Sequence, residues 1–270
     1  MKNNKSIIIA SVTKEKQGYQ VTLDNGEQID VTEDILISYN LLKGSKISEE
    51  YLLKIKKDTI DSRGLQLAYA YLQKQLRTKK EVQEFLRKQK ILDEALEKIL
   101  KKLQDLQLIN DKSYAESYVR TKACLNKKGP QVIKQNLLKK GIREDIINNA
   151  LLEHFSNDQQ INNANKLAEK LVKKYQIKSY KEKLQKIHQG LIIKGFSSDI
   201  AKAAVESLEL IKDENHEWTQ LQKEGEKVWQ RTSRLEAYKR RQKIKQSLYQ
   251  KGFSIENIDH FIEFKENIDD

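Results

Sequence analysis

Apolar residues recur along this chain with a helical period, and the helices they mark come in copies. Ile133 and Leu137, Ile187 and Leu191, and Ile244 and Leu248 each stand four apart, so each pair shares one face of a helix. A Lys-Gly-apolar tripeptide closes each pair: Lys140-Gly141-Ile142, Lys194-Gly195-Phe196 and Lys251-Gly252-Phe253. The glycine predicts a left-handed residue just past the last helical turn, and the apolar residue after it folds back onto the helix it has left. Asp145-Ile146 and Asp199-Ile200 follow in two copies, and Ile258 stands one place later in the third. Ser198 or Asp199 suits the N-cap of the next helix, whose apolar stripe is Ile200, Ala204 and Leu208. A fainter copy comes earlier, with Val82, Leu86 and Ile91 in the same pattern and Lys90 in place of the glycine.

Each copy is preceded by another helical stretch, at about 61–76, 111–126, 157–175 and 213–232. The repeating unit is therefore three helices, recurring roughly every 50–57 residues. The expected fold is mainly α, an elongated tandem array of three-helix repeats. Its repeats cover 61–110, 111–155, 156–211 and 212–270. Residues 1–60 read differently. Ser6–Thr13, Tyr19–Leu23 and Glu27–Val31 alternate with β-branched residues around Asp24-Asn25-Gly26, a hairpin signal, and predict a small β-ribbon of three strands. Thr32 caps a short helix that runs through Leu42 to a stop at Lys43-Gly44, and Ser48 with Glu49 and Glu50 opens another.

Charge changes the picture by its location. The net charge of +12 is absent from residues 1–60 and from 212–270, each balanced, and falls as +4 on each of the three repeats between. In the last repeat the balance hides a split between a basic helix over 231–245 and an acidic tail with Glu263, Glu266, Asp269 and Asp270. Positive charge spread evenly over repeats suits a long polyanion or a polymer with recurring acidic patches. Cys124 is the one cysteine, which excludes an intrachain disulfide and suits a reducing compartment. The apolar run Ile7–Ala10 is too short for a signal or membrane segment, so the chain reads as cytoplasmic.

Chemistry is sparse. No phosphate-cradling glycine loop occurs, and His154, His188, His216 and His260 stand singly without metal-helix spacing. Cys124, beside Ala123 and Leu125, reads as a buried structural thiol; Trp218 and Trp229, with Leu221 and Val228, read as core. No catalytic residue, metal ligand or cofactor site is expected.

One segment is more distinctive. From Leu108 to Ile142 the chain carries Asp111, Tyr114, Ala115, Tyr118, Val119 and Arg120, then Gly129-Pro130, then Lys140-Gly141-Ile142. This resembles the RecX family of recombination regulators, whose pattern is Asp-x-x-Tyr/Phe-Ala-x-x-Phe/Tyr-Val-Arg, then Gly-Pro, then a helix ending Lys-Gly-Ile. Arg77-Thr78 and Glu81-Val82 resemble the family's upstream Arg-Ser/Thr-x-x-Glu-Leu stretch, with valine for leucine. Lys90 and the fourth repeat depart from the pattern of shorter members. The resemblance implies a monomeric, non-enzymatic modulator that lies along the RecA filament and restrains its ATPase, strand-exchange and co-protease functions. Direct contact with single- or double-stranded DNA is a further candidate, and no membrane partner is expected. Candidate partner-binding residues are Arg77, Arg120, Lys122, Lys127, Lys128, Lys139, Lys140, Arg240 and Arg241. Arg120 either bridges to Glu116, one turn back on its helix, or faces the partner. On the residues alone, a direct nucleic-acid binder and a helical adaptor for another protein stay open.

Overall fold

The computed structural model describes residues 6–16, 18–125 and 128–269. It is mainly helical, with a small antiparallel sheet at the N-terminal end. The sheet has four strands: β1 (Ser6–Glu15), β2 (Gly18–Leu23), β3 (Gln28–Val31) and β4 (Lys46–Ser48), in the order β3-β2-β1-β4. The sequence marks three of these. The fourth is three residues long and, among the described residues, pairs with Ser6, Ile7 and Ile8, too short to carry an alternation of its own. Helix α1 (Glu33–Ser38) is shorter than the reading to Leu42, because Asn40 turns left-handed, with φ of 48°.

Helix α2 (Glu49–Leu72) departs most from the sequence reading, which had one helix opening at Ser48 and a second over 61–76. No breaker separates them, and Gly64 is tolerated inside the helix. Leu52 and Ile55 of α2 complete the core of the sheet, with Ile9, Val21, Leu23, Val31 and Ile35. A four-stranded sheet this small has one face to bury, and α2 covers it. Thr32 donates to Ser62 at 2.8 Å and Ser62 to Asp34 at 2.7 Å, which ties the start of α1 to the middle of α2.

The rest is helices in threes. α3 (Lys79–Lys88) and α4 (Asp93–Asp105) close the first set with the second half of α2 around Ala68, Val82, Leu86, Leu96 and Leu103. The second set is α5 (Asp111–Cys124), α6 (Pro130–Lys139) and α7 (Glu144–His154), and Pro130 takes the first helical position, where its missing N–H costs nothing. The third is α8 (Asn157–Lys174), α9 (Tyr180–Ile193) and α10 (Ser198–Glu206), around Ala164, Ala168, Ile187, Leu191 and Phe196. The fourth is α11 (Glu214–Arg231), α12 (Ala237–Gln250) and α13 (Ile255–Asp269), around Leu221, Trp229, Ile244, Leu248, Phe253 and Phe261. By contacts the chain divides into two compact units, residues 1–115 with 138–146, and 116–137 with 147–270.

The periodic residues are buried in all four copies: Val82, Leu86 and Ile91; Ile133, Leu137 and Ile142; Ile187, Leu191 and Phe196; Ile244, Leu248 and Phe253. Three details differ from the sequence reading. The residue buried after each glycine is Ile147, Ala201 or Ile258, six places on in every copy, while Ile146 and Ile200 are half-buried. The third copy is therefore in register. The N-cap of α10 is Ser197, whose hydroxyl accepts from Ile200 N–H at 3.3 Å. On α5 the buried seam is Ala115, Val119 and Ala123, with Tyr114 and Tyr118 half-buried beside it. Cys124 is exposed, not a buried thiol, because the residue after Ala123 turns about 100° away from the core.

Candidate functional site

The repeated Lys-Gly pairs meet helix starts from the neighbouring three-helix set, and each meeting is a joint. At the first, Thr78 caps α3, donating from its own N–H to Glu81 at 3.0 Å and accepting from Glu81 N–H at 3.3 Å. The same Thr78 hydroxyl donates to the carbonyl of Lys140 at 2.8 Å. Lys140 returns an ammonium to Glu81 at 2.6 Å, and Lys79 N–H donates to Asp111 at 2.9 Å. At the third joint, Ser179 caps α9 and donates to the carbonyl of Lys251 at 2.5 Å, while the buried Glu217 accepts from Tyr180 N–H at 2.8 Å. The second joint is made of backbone. Gly129 N–H donates to Lys194 carbonyl at 2.7 Å, and Gln131 N–H to Gly195 carbonyl at 3.1 Å. In every case a helix C-terminus keeps carbonyls without intrahelical partners, and the joint satisfies one of them.

Conformation alone does not explain the glycines. Gly141, Gly195 and Gly252 do take φ of 81°, 93° and 88°. Lys90, Gln107 and Glu209 take φ of 62°, 56° and 45° without being glycine. What sets the glycines apart is the neighbour. A Cβ on Gly195 would lie 2.5 Å from the backbone nitrogen of Val132, and one on Gly129 2.3 Å from the carbonyl carbon of Gly195. On Gly141 it would lie 2.5 Å from Lys80 Cδ, and on Gly252 2.9 Å from Ser179 Oγ.

Electrostatics supports the joints. Burial would raise the carboxyl pKa of Glu81, but the Lys140 ammonium, the Thr78 N–H and the charge of Arg77 together hold it below its ordinary value. Burial likewise works against charge on Lys140, and Glu81 with Tyr114 more than compensates. In the fourth set, hydrogen bonds from Lys227 and Lys251 hold Glu224 down at about 2.

The candidate partner-binding residues fall into two groups. Arg77, Lys140, Arg240 and Arg241 are engaged within the protein. Arg77 lies 4.4 Å over the Tyr71 ring, which stacks on Phe85. Lys140 pairs with Glu81 and sits 5.3 Å over Tyr114. Arg240 lies 3.7 Å over Trp229 and donates to its carbonyl at 3.3 Å. Arg241 grips Glu266 through two hydrogen bonds of 2.9 and 2.7 Å. Arg120 and Lys139 are exposed, Lys128 is half-buried, and Lys122 lies half-buried 5.3 Å over Tyr118. Among the described residues Arg120 has no ion pair, so the bridge to Glu116 is not formed. Lys127 lies outside the described residues.

Sequence reasoning quoted Thr78 and Gly129 only as parts of the family pattern, and missed Ser179 and the joints that all three make. Thr78-x-x-Glu81 and Ser179-x-x-Glu182 do announce helix starts. Their carbonyl partners stand 62 and 72 residues away, out of reach of any local pattern. Among the described residues, one group of side chains, Glu116, Glu153 and His154, converges closely enough to hold a metal ion. No helix among the described residues is long and apolar enough to cross a membrane.

Comparison with known proteins places these features. The model for the RecX second three-helix domain matches residues 110–151, and the model for the RecX third three-helix domain matches twice, at 158–205 and 215–262. The fourth set is thus a second copy of the third type. The regulatory protein RecX of Enterococcus faecalis is 42% identical over 96% of this chain and 97% of its own length. That of Levilactobacillus brevis is 36% identical over 95% and 96%. A crystal structure of regulatory protein RecX, 35% identical, superposes with a TM-score of 0.63 over 74% of this chain and 99% of that one. RecX from Lactobacillus salivarius, 47% identical, gives 0.53 over 56% and 98%. With relatives of this identity spanning nearly its whole length, and family domains matched at three successive helix triplets, the chain belongs to the RecX family of regulatory proteins.

Proposed function

We propose that the chain is a non-enzymatic regulator that binds along the RecA–DNA filament as a monomer in the cytoplasm and restrains its ATPase, strand-exchange and co-protease activities. Membership in the RecX family carries this reading. The physical support is a tandem of three-helix domains in which three successive repeats each bear +4. Several weak contacts presented in series act together through effective concentration, which suits a partner that is itself a repeating polymer. Arg120, Lys122, Lys128 and Lys139 are the side chains proposed to meet it from the second domain, with Lys127 beside them in sequence. Arg77, Lys140, Arg240 and Arg241 are proposed to act indirectly, by holding the helices that carry the others.

The test is titration of the full chain against bare single-stranded DNA, bare duplex and RecA-coated single strand at two salt concentrations, with RecA ATPase followed in parallel. Tight binding confined to the coated strand, with slowed ATP turnover, supports the regulator. The combined reversal Arg120→Glu, Lys128→Glu and Lys139→Glu should weaken filament binding and flatten its salt dependence. Equal affinity for bare DNA with a steep salt slope overturns the reading in favour of a direct nucleic-acid binder.

A further inference from the structure

We propose that the second three-helix domain carries a zinc site built from Glu116 on α5 and from Glu153 and His154 at the end of α7. Their ligand atoms all lie within 4.8 Å of one another. Glu153 Oε2 stands 3.7 Å from His154 Nε2. Tetrahedral zinc, with bonds of about 2.0–2.1 Å to imidazole nitrogen and carboxylate oxygen, sets its ligand atoms roughly 3.3 Å apart, so side-chain rotations must draw the three together to close the set.

The second observation is the histidine nitrogen itself. Nε2 of His154 is shut off from solvent and has no hydrogen-bond partner in the structure. A buried polar atom without a partner costs free energy and calls for an explanation. An ion bound between the three side chains supplies one. One imidazole nitrogen and two carboxylate oxygens form the three-ligand set that zinc accepts with a fourth position left for water. The imidazole selects against magnesium and calcium, which take oxygen ligands. The three side chains lie near the surface, since Glu153 keeps 57% of its side-chain surface exposed and His154 22%, although Nε2 itself is covered. Bound zinc would join the first and third helices of the domain that also carries Arg120, Lys122, Lys128 and Lys139, and so would stiffen the scaffold of the proposed partner surface.

The experiment uses the full chain free of any polyhistidine tag and carrying Cys124→Ser, because the exposed thiol is a competing ligand. Calorimetric titration with Zn2+ and with Co2+ should give one saturable equivalent of each. Co2+ should develop the visible absorption of a four-coordinate site, and the melting temperature should rise with Zn2+ and not with Mg2+. Glu153→Gln and His154→Gln should each weaken binding by at least about tenfold, the lower end for disturbing even outer-shell partners of a metal. Glu153 is exposed, so its variant reports on the site even if His154→Gln fails to fold. Absence of saturable binding overturns the proposal. So does binding indifferent to both substitutions, or a stability that follows histidine protonation and ignores zinc, the mark of a plain His154–Glu153 ion pair. None of these readouts involves RecA, so the site stands or falls apart from the proposed function.

Discussion

The joint at Gly195 and the joint at Gly252 perform one task with different chemistry. At Gly195 the approaching helix start is Gly129-Pro130, and the contact is backbone against backbone with no side chain between. At Gly252 it is Ser179-Tyr180, and a hydroxyl fills the gap as a hydrogen-bond donor. The first arrangement brings the two chains closer, and a Cβ on either glycine would come within 2.5 Å of a backbone atom. The second is less tight, since the nearest atoms to such a Cβ, the Ser179 hydroxyl oxygen and the Glu182 nitrogen, stand 2.9 and 3.0 Å away. A side-chain joint can relax through its rotamers, whereas a backbone joint can relax only by moving helices. Residues with equivalent sequence signals therefore carry unequal structural constraint.

The largest test of that difference is Gly195→Ala. It combines a left-handed φ with a collision against fixed backbone, and should cost ~3 kcal/mol by chemical denaturation. Gly252→Ala meets softer neighbours and should cost about half as much, mostly for its φ. Equal losses at the two sites would show that conformation alone sets the value of the glycine. Next come the hydroxyls. Thr78→Ala and Ser179→Ala should each cost about 1–2 kcal/mol, the worth of an N-cap whose hydroxyl also serves a part-buried carbonyl. Thr78→Ser should recover most of the loss in the same unfolding assay.

Acid is a milder probe. The folded pKa of Glu224 lies at about 2, below its ordinary 4.5. A depressed carboxyl contributes stability that is present above the unfolded pKa and lost as the pH falls towards the folded one. Unfolding free energy should therefore decline between about pH 4.5 and 2. Glu224→Gln should flatten that decline, because Lys227 and Lys251 then have no charge to pair with. The smallest effect has the opposite sign. Lys90 holds φ of 62° where no neighbour demands a glycine, so Lys90→Gly should stabilise by ~0.5–1 kcal/mol through relief of strain.

Much of the fold could be read from spacing. Ile133 with Leu137 and their counterparts define helix faces, and a stop after each face defines the unit, because helical period and chain reversal are local properties. The boundary between the sheet and the first triplet was not legible. One continuous helix serves both cores, with Leu52 and Ile55 in one and Ala68 in the other, and local pattern does not say which core a helical face enters. β4 was missed because three residues carry no period. The candidate partner surface was legible only as charge. Arg77 and Arg240 look like free cations in the sequence, and tertiary packing places both over aromatic rings. Arg120 looked able to bridge to Glu116, and its side chain is exposed without that pair. The convergence of Glu116 with Glu153 and His154 joins helices 37 residues apart, beyond any motif.

The sequence by itself determined the tandem of three-helix units, the apolar seam of each, the +4 on three of them and the kinship with RecX. Local forces suffice for these: apolar period, cap chemistry and composition act over one or two turns. Only the tertiary structure decided why three of the helix stops are glycine and the fourth is lysine. Each of the four residues turns left-handed, but three receive a neighbouring helix start so close that a Cβ would meet an atom at 2.5 to 2.9 Å, most tightly at Gly141 and Gly195 and least at Gly252. That exclusion is a contact between residues more than fifty positions apart, and no local preference of the chain encodes it.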